Sequence, residues 1–153
     1  VLSTLHTNDA PGAVTRLLEM GVEEYLLPSV LIGVLAQRLV RTICADCAAP
    51  REISPALRED LLREVGFVPE GNLRIGRGCD ACAGTGFRGR SGIFELLSVT
   101  DGIKELVLAR ADAGALRAKA TAEGMRPLRE DGWEKVRRGI TTIEEVLRVT
   151  RAG

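Results

Sequence analysis

Four cysteines, the only ones in the chain, form two close pairs, Cys44-Ala-Asp-Cys47 and Cys79-Asp-Ala-Cys82. A Cys-x-x-Cys turn places two thiolates near enough to hold one side of a metal ion, and two such turns complete a tetrahedral sulfur site, which suits zinc. The 31 residues between the pairs exceed the commonest ribbon spacing of about 15–20, so we expect an inserted element. A closed shell of four cysteines leaves the ion no open position, so we expect this metal to hold structure and not to catalyse.

Two other chemistries of paired cysteines fit the pattern less well. A redox dithiol of the thioredoxin kind needs one Cys-x-x-Cys in a βαβ setting, whereas this chain has two copies with glycine-rich flanks. Disulfides are typical of small secreted domains, and a chain of 153 residues does not need such staples. The cysteine pattern therefore favours a structural metal site.

His6 is the only histidine, and it lies at the end of an apolar opening strand that we predict from Val1-Leu-Ser-Thr-Leu5. Open α/β sheets bind ligands beyond the carboxyl ends of their strands, where Thr4, His6, Thr7 and Asn8 would cluster. A lone histidine also fits a simple role in the turn, and spacing alone favours that role. A buried strand that begins at the first residue leads us to expect the rest of its sheet upstream.

The segment Gly84-Thr-Gly86-Phe-Arg-Gly89 formally matches the dinucleotide-binding pattern G-x-G-x-x-G. Its context differs, because it follows a cysteine turn and precedes a strand, whereas the fingerprint follows a strand and precedes a helix. We expect these glycines to let backbone amides fold over the cysteine sulfurs and then to turn the chain. Arg88 and Arg90 could bind a phosphate or a neighbouring subunit's carboxylate, or be solvated.

Arg38 lies on a predicted strand, about 35–43, that leads to the first cysteine pair. Alternation places its side chain on the opposite face from Gln37 and Leu39. An arginine on an otherwise apolar strand could contact a nucleotide or a second subunit. It could equally be an edge charge that discourages aggregation.

The other predicted elements position these residues. Asn8 or Asp9 caps a first helix that Gly21 closes, and a broken helical stretch follows at about 23–34. We predict a helix from Ser54-Pro55 to Gly66, a short strand at about 73–75 and a strand at about 93–99. Helices follow at about 101–109, 112–123, 126–138 and 142–149, with Gly124 and Gly139 as stops and a capping box at Thr142–Glu145.

Composition excludes some classes of function. Charges are balanced, with 21 basic and 21 acidic residues, so net charge predicts neither nucleic-acid binding nor attraction to anionic membrane. Aromatic residues make up 3% of the chain, which argues against stacking on single-stranded bases. The longest apolar stretch, residues 25–36, contains proline and glycine and is too short to span a bilayer. We expect a soluble, cytoplasmic protein.

The motifs together, in order, resemble the secretion ATPases of the type II secretion and type IV pilus assembly class. Ser3-Thr-Leu-His-Thr-Asn-Asp-Ala10 is similar to their His box, and the match continues through residues 37–41, both cysteine pairs and Gly89-Arg-Ser-Gly-Ile-Phe-Glu95. It continues again through Gly124-Met-Arg-Pro-Leu128 to Glu144-Glu-Val146. The resemblance covers nearly the whole chain outside the helix near 55–66. Because pilus retraction members usually lack the cysteine pairs, assembly or secretion is favoured.

This resemblance implies an α/β fold: the C-terminal portion of a RecA-like P-loop ATPase core (1–43), an inserted four-cysteine zinc module (44–90) and a mainly helical C-terminal subdomain (91–153). It implies a hexamer that uses ATP and Mg²⁺ at the inner membrane, beside secretion or pilus platform proteins and without nucleic acid. His6 would lie near the γ-phosphate as a catalytic residue. Thr7, Arg38 and Arg90 would contact the nucleotide.

The sequence departs from that family in one respect, and it leaves other readings open. No Gly-x-x-x-x-Gly-Lys-[Ser/Thr] loop occurs, so the amides that cradle phosphates are missing and we expect this chain alone to hydrolyse no ATP. The alternative is a stand-alone zinc-stabilised module that binds proteins, since Cys79 to Gly86 resembles one unit of the chaperone zinc domains. A zinc-ribbon nucleic-acid binder is a third possibility that charge and aromatic content oppose.

Overall fold

A computed structural model describes residues 1–150. Strands and helices are mixed up to residue 98 and only helices follow as far as residue 150, so the predicted mixed α/β class is confirmed. The described residues form two compact units, Val1–Arg38 with Phe94–Leu128, and Leu39–Ile93 with residues 129–150. The domain boundaries after residues 43 and 90 stay a prediction. The longest described helix has 11 residues, and none of the helices described has the length and apolar character to cross a membrane.

The elements follow one another along the chain with short connections. The helices are α1 (Ala10–Glu19), α2 (Leu27–Val30), α3 (Pro55–Val65), α4 (Asp101–Leu108), α5 (Ala113–Ala122), α6 (Leu128–Arg137) and α7 (Ile143–Thr150). The strands are β1 (Gly33–Ile43), β2 (Ala48–Pro50), β3 (Arg74–Gly76) and β4 (Phe87–Ser98). Strand β1 pairs with β4, and β2 pairs antiparallel with β3.

In the first unit, helix α1 packs on α5, and α4 packs on both α5 and α2. Their apolar faces and the inward side of β4 enclose one core, whose buried members are Ala10, Val14, Leu27, Leu97, Ile103, Val107, Leu116, Ala120 and Met125. Helix α1 begins where predicted, because Oδ1 of Asp9 accepts a hydrogen bond from the Gly12 N–H at 2.7 Å. Gly21, with φ of +89°, lets the chain leave the helix.

The second unit has its own core around the only tryptophan of the chain. Its buried members come from α3, α6 and α7 and are Leu61, Trp133, Val136, Ile143, Val146 and Leu147. The ring of Phe67 meets the Trp133 ring edge-on, with centroids 5.5 Å apart. Gly132 permits close approach of α6 and α7, since a Cβ there would lie 2.7 Å from Cγ1 of Val146.

Most predicted elements are confirmed with small shifts of their ends. Helix α3 begins at the Ser54 cap and ends at Gly66, whose φ is +78°. The last four helices are all present. Half of the predicted capping box forms, because the Glu145 N–H donates to Oγ1 of Thr142 at 3.4 Å. The other half does not, because the Glu145 carboxylate accepts hydrogen bonds from Arg41 and Arg148 instead.

Three expectations are corrected. Residues 1–7 have no regular structure and begin with exposed Val1 and Leu2, so the opening strand is wrong for the described chain. A strand needs a neighbour for its N–H and C=O groups, and no strand within residues 1–150 pairs with this segment. Strand β4 begins at Phe87, so Gly89 lies inside a strand and not in a loop. The stretch 23–34 contains one helical turn, α2, and the start of β1.

Candidate metal centre and His6 segment

The four cysteine sulfurs form one cluster in the second unit, and all lie within 4.8 Å of one another. The Sγ atoms are 3.9 Å apart for Cys44 and Cys79, 3.9 Å for Cys47 and Cys82, and 3.7 Å for Cys79 and Cys82. Metal–sulfur bonds of about 2.3 Å in a tetrahedron put sulfurs about 3.8 Å apart, whereas disulfide sulfurs are about 2 Å apart. The thiols are free, so the cluster has the geometry of a site that could bind a metal ion.

Backbone hydrogen bonds bring the two cysteine turns together. In each pair the first cysteine directly precedes a short 3-10 turn and the second one ends it, at Ala45–Cys47 and Asp80–Cys82. The Cys44 N–H donates to the Gly86 carbonyl at 2.9 Å, and the Arg77 N–H donates to the Cys47 carbonyl at 3.1 Å. The β2–β3 ladder adjoins these bonds. The chain therefore positions its thiols through its own backbone.

Backbone amides point at the sulfurs, and one of them, that of Gly86, belongs to the three glycines for which this was predicted. The N–H groups of Gly78 and Gly86 donate to Sγ of Cys47 and Cys82, each at 3.3 Å. Both glycines have positive φ, +91° and +75°, and a Cβ on Gly86 would lie 2.5 Å from the Gly76 carbonyl oxygen. These donors stabilise negative charge on sulfur, which is what thiolate ligands of a metal carry.

The thiols differ in acidity. The backbone N–H groups of Cys79 and Gly86 lower the pKa of the Cys82 thiol to about 6, against the opposing effect of burial. Burial raises the pKa of Cys47 to about 11 and also raises the pKa of Cys79. Since a metal binds thiolates, these two thiols must release protons when an ion enters. Metal affinity therefore falls as the pH is lowered.

His6 is exposed, and the three residues after it are held by hydrogen bonds. Oγ1 of Thr7 donates to the Asp9 carbonyl at 3.2 Å. Nη2 of Arg38 donates to Oδ1 of Asn8 at 2.8 Å, and the Arg117 guanidinium donates to the Asp9 carboxylate. The structure thus brings Arg38 to the segment that contains Thr7 and follows His6. The roles assigned to these three residues stay predictions.

The remaining predicted site residue, Arg90, is exposed on β4 in the second unit. Its neighbour Arg88 pairs with Asp46, with 3.6 Å between Nη1 and Oδ2. On β1, residues 34, 36, 38 and 40 are less exposed than residues 35, 37, 39 and 41, which confirms the alternation that separates Arg38 from Gln37 and Leu39.

Sequence reasoning missed two buried carboxylates. Glu95 accepts hydrogen bonds from the first N–H of two helices, at Ala10 and Leu128. Glu145 accepts four, two from Arg41 and two from Arg148. Alternation on β4 could have revealed Glu95, since it shares the buried face with Leu97. No sequence signal pairs Glu145 with Arg41, which lies 104 residues away.

Comparison with known proteins gives one consistent result. Residues 1–148 match the family described as "Type II/IV secretion system protein". Type II secretion system ATPase E of Vibrio cholerae is 47% identical over 155 residues, which cover 99% of this chain and 29% of that protein. Type IV pilus assembly ATPase PilB of Thermus thermophilus is 46% identical over 151 residues, which cover 96% of this chain and 16% of that protein. Type IV pilus assembly ATPase TfpB of Acinetobacter baylyi is 42% identical over 149 residues, which cover 97% of this chain and 26% of that protein.

The chain spans less than a third of the length of these relatives. The matched residues, 1–148, include the His6 segment, both cysteine pairs and α6. The motifs identified from the sequence and the family match therefore agree, and the chain belongs to the type II/IV secretion system protein family.

Proposed function

We propose that this chain is the C-terminal part of a hexameric P-loop ATPase that powers type II protein secretion or type IV pilus assembly. The observation that carries the proposal is the family match over residues 1–148, supported by relatives of both classes that are named as ATPases. In the whole protein, a RecA-like core binds ATP and Mg²⁺ and the chain described here completes it. The protein works in the cytoplasm against the inner membrane, with platform proteins and not nucleic acid as its partners.

The metal in this proposal is zinc, held by Cys44, Cys47, Cys79 and Cys82. Four thiolates in a tetrahedral arrangement select zinc over hard cations such as Mg²⁺. Because all four positions of the ion are taken by protein, the zinc supplies structure and no catalysis. The sulfur distances and the amide donors at Gly78 and Gly86 support this role.

Nucleotide contacts in the whole protein are assigned to His6, Thr7, Arg38 and Arg90. His6 is exposed in the described chain, so its imidazole is accessible to a phosphate there. Thr7 supplies a hydroxyl and the two arginines supply guanidinium groups, which bind phosphate oxygens well. Arg38 donates to Asn8 in this structure, so it can exchange that partner for a nucleotide.

The chain alone is proposed to be inactive, because the sequence contains no Gly-x-x-x-x-Gly-Lys-[Ser/Thr] loop. The test compares ATP hydrolysis by the 153-residue chain with hydrolysis by the full-length protein, and measures zinc in both. We expect one zinc per chain in each sample, hydrolysis in the full-length protein only, and a large loss of kcat in full-length His6→Ala. A full-length protein without ATPase activity but with bound zinc would instead support the stand-alone zinc-stabilised interaction module.

A further inference from the structure

Glu95 is a buried charged residue that the proposed function does not use. Its side chain is 2% exposed and lies in the first unit, on β4. A buried carboxylate must find hydrogen-bond donors, because burying an unpaired charge is strongly unfavourable. The donors that Glu95 finds identify what it does.

Two helices begin at this carboxylate. Oε1 accepts the N–H of Ala10, the first residue of α1, at 2.9 Å. Oε2 accepts the N–H of Leu128, the first residue of α6, at 3.1 Å. The first N–H groups of a helix have no partner within the helix and carry partial positive charge, so an anion there fixes the place where the helix starts.

The start of α1 in turn determines where the His6 segment lies. Asp9 caps α1 through Gly12 and also binds Arg117. Asn8 accepts from Arg38, and Thr7 donates to the Asp9 carbonyl. Each residue from Thr7 to Ala10 therefore takes part in a hydrogen bond. Ala10, whose N–H Glu95 accepts, is the only one of these four residues that is fully buried.

We propose that Glu95 is a positioning residue for His6. By accepting the Ala10 N–H, its carboxylate fixes the first turn of α1 and, through Asp9, Asn8 and Thr7, the place of the imidazole. The position of His6 can be measured in the chain described here. Only the expected effect on catalysis rests on the proposed role of His6 in ATP hydrolysis.

The chemistry requires a carboxylate. Two N–H donors need two acceptor oxygens, and glutamate supplies one to each helix. Glutamine has nearly the same shape but only one oxygen, so its NH2 group must face one of the two N–H donors. Glu95→Gln therefore releases the start of α1 or of α6 while changing almost no volume.

The first experiment needs no enzymatic activity. Amide exchange at Ala10 and Leu128 and the imidazole signal of His6, the only histidine, are measured by NMR in the 153-residue chain. In Glu95→Gln we expect exchange at Ala10 to be roughly tenfold faster and the His6 signal to move with it; if the glutamine frees Leu128 instead, only exchange at Leu128 rises. The control Glu105→Gln removes the same charge from an exposed position on α4 and leaves both readouts unchanged. Unchanged exchange at both amides, or faster exchange at Ala10 with an unmoved His6 signal, overturns the proposal; if Leu128 alone exchanges faster, the variant Glu95→Asp described below decides.

The second experiment measures kcat and KM in the full-length protein. Displacing a catalytic group by about an ångström costs roughly 100-fold in rate, so we expect Glu95→Gln to lower kcat by about 10-fold to 100-fold while KM changes little. In a His6→Ala background the same substitution should have almost no further effect. An equal fall in both backgrounds means that Glu95 does not act through His6. If His6→Ala alone leaves kcat unchanged, the catalytic role of His6 fails and the NMR experiment still decides the positioning.

A variant that keeps the charge covers the case in which Glu95→Gln does not fold. Glu95→Asp retains both acceptor oxygens but withdraws them by one carbon. We expect faster exchange at Ala10 together with a displaced His6 signal. Both changes should be smaller than those that complete loss of the cap would cause. Faster exchange at Ala10 with an unmoved His6 signal would contradict the proposal.

Discussion

Replacing Glu145 by glutamine tests how much one buried carboxylate stabilises the second unit. The Glu145 side chain is 2% exposed, and its two oxygens accept hydrogen bonds from the backbone and guanidinium of Arg41 and from the guanidinium of Arg148, at 2.8–2.9 Å. Burial raises the pKa of this carboxyl, but the hydrogen bonds from Arg148 and Arg41 outweigh burial and lower it from 4.5 to about 2.

That pKa gives the size of the effect. A carboxyl whose pKa falls from 4.5 to about 2 on folding contributes about 3 kcal/mol of stability at neutral pH. Because the folded-state pKa is the lower one, the contribution is complete above about pH 4.5 and is lost as the pH falls towards 2. Glu145→Gln should therefore lose about 3 kcal/mol at pH 7 and much less near pH 3.

Urea unfolding followed by Trp133 fluorescence measures this difference, since Trp133 lies in the same core as α7. The wild type and Glu145→Gln both keep the four cysteines. Any loss of metal at low pH therefore affects both proteins and cancels when their unfolding free energies are compared. The control Glu134→Gln removes a half-exposed charge that lies 3.7 Å from Arg137 and should cost less than about 1 kcal/mol. Equal losses for the two variants at pH 7, or a Glu145→Gln loss that does not shrink on acidification, would refute the reasoning.

Three further outcomes are expected. Chelation of zinc should unfold residues 44–90 and leave the terminal helices partly intact, which circular dichroism and metal analysis would show together; helicity and metal content that do not respond to chelator would contradict this. Gly76→Ala should weaken zinc binding in a competition titration, because its Cβ would lie 1.9 Å from the Gly86 oxygen. Gly84→Ala meets no atom within 4 Å and carries only the strain of its φ of +75°, so it should weaken binding less. Gly132→Ala should cost about 1–3 kcal/mol in urea unfolding by overpacking against Val146, and Val146→Ala should restore part of the loss; a stabilised Gly132→Ala would show that α6 and α7 can separate at no cost.

The features that the sequence predicted correctly are those determined by neighbouring residues. Spacing within each Cys-x-x-Cys, a cap at Asn8 or Asp9, the helix start at Ser54 and the helix stop at Gly66 are local; the cysteines do cluster, Asp9 and Ser54 are the caps, and the helix ends at Gly66. The cysteine cluster joins two such local turns, and predicting it required only the assumption that the two turns lie together. Of the glycine amides that donate to sulfur, that of Gly86 was predicted from the glycines after Cys82, and that of Gly78 was not.

The features that the sequence did not predict depend on distant partners. Glu95 binds an N–H 85 residues away, and Glu145 binds an arginine 104 residues away, so no local pattern indicates either contact. The opening strand was predicted from apolar content, but a strand also requires a paired neighbour, which residues 1–7 do not have among the described strands. Strand β4 was predicted too short because Gly89 and Gly92 indicate a loop, whereas both lie within β4, which pairs with β1, and Gly89 is accommodated there with a φ of +83°.

The proposed metal centre also bears on the order in which the second unit assembles during folding. Cys44 directly follows β1, Cys79 lies 35 residues further on, and β4 begins shortly after Cys82. Closing a loop of that length costs roughly 3 kcal/mol of chain entropy. An ion that binds the unfolded thiols would close this loop first, so that the end of β1 and the start of β4 already lie together when the strands begin to pair. Zinc supply would then control the folding rate of this unit as well as its equilibrium stability.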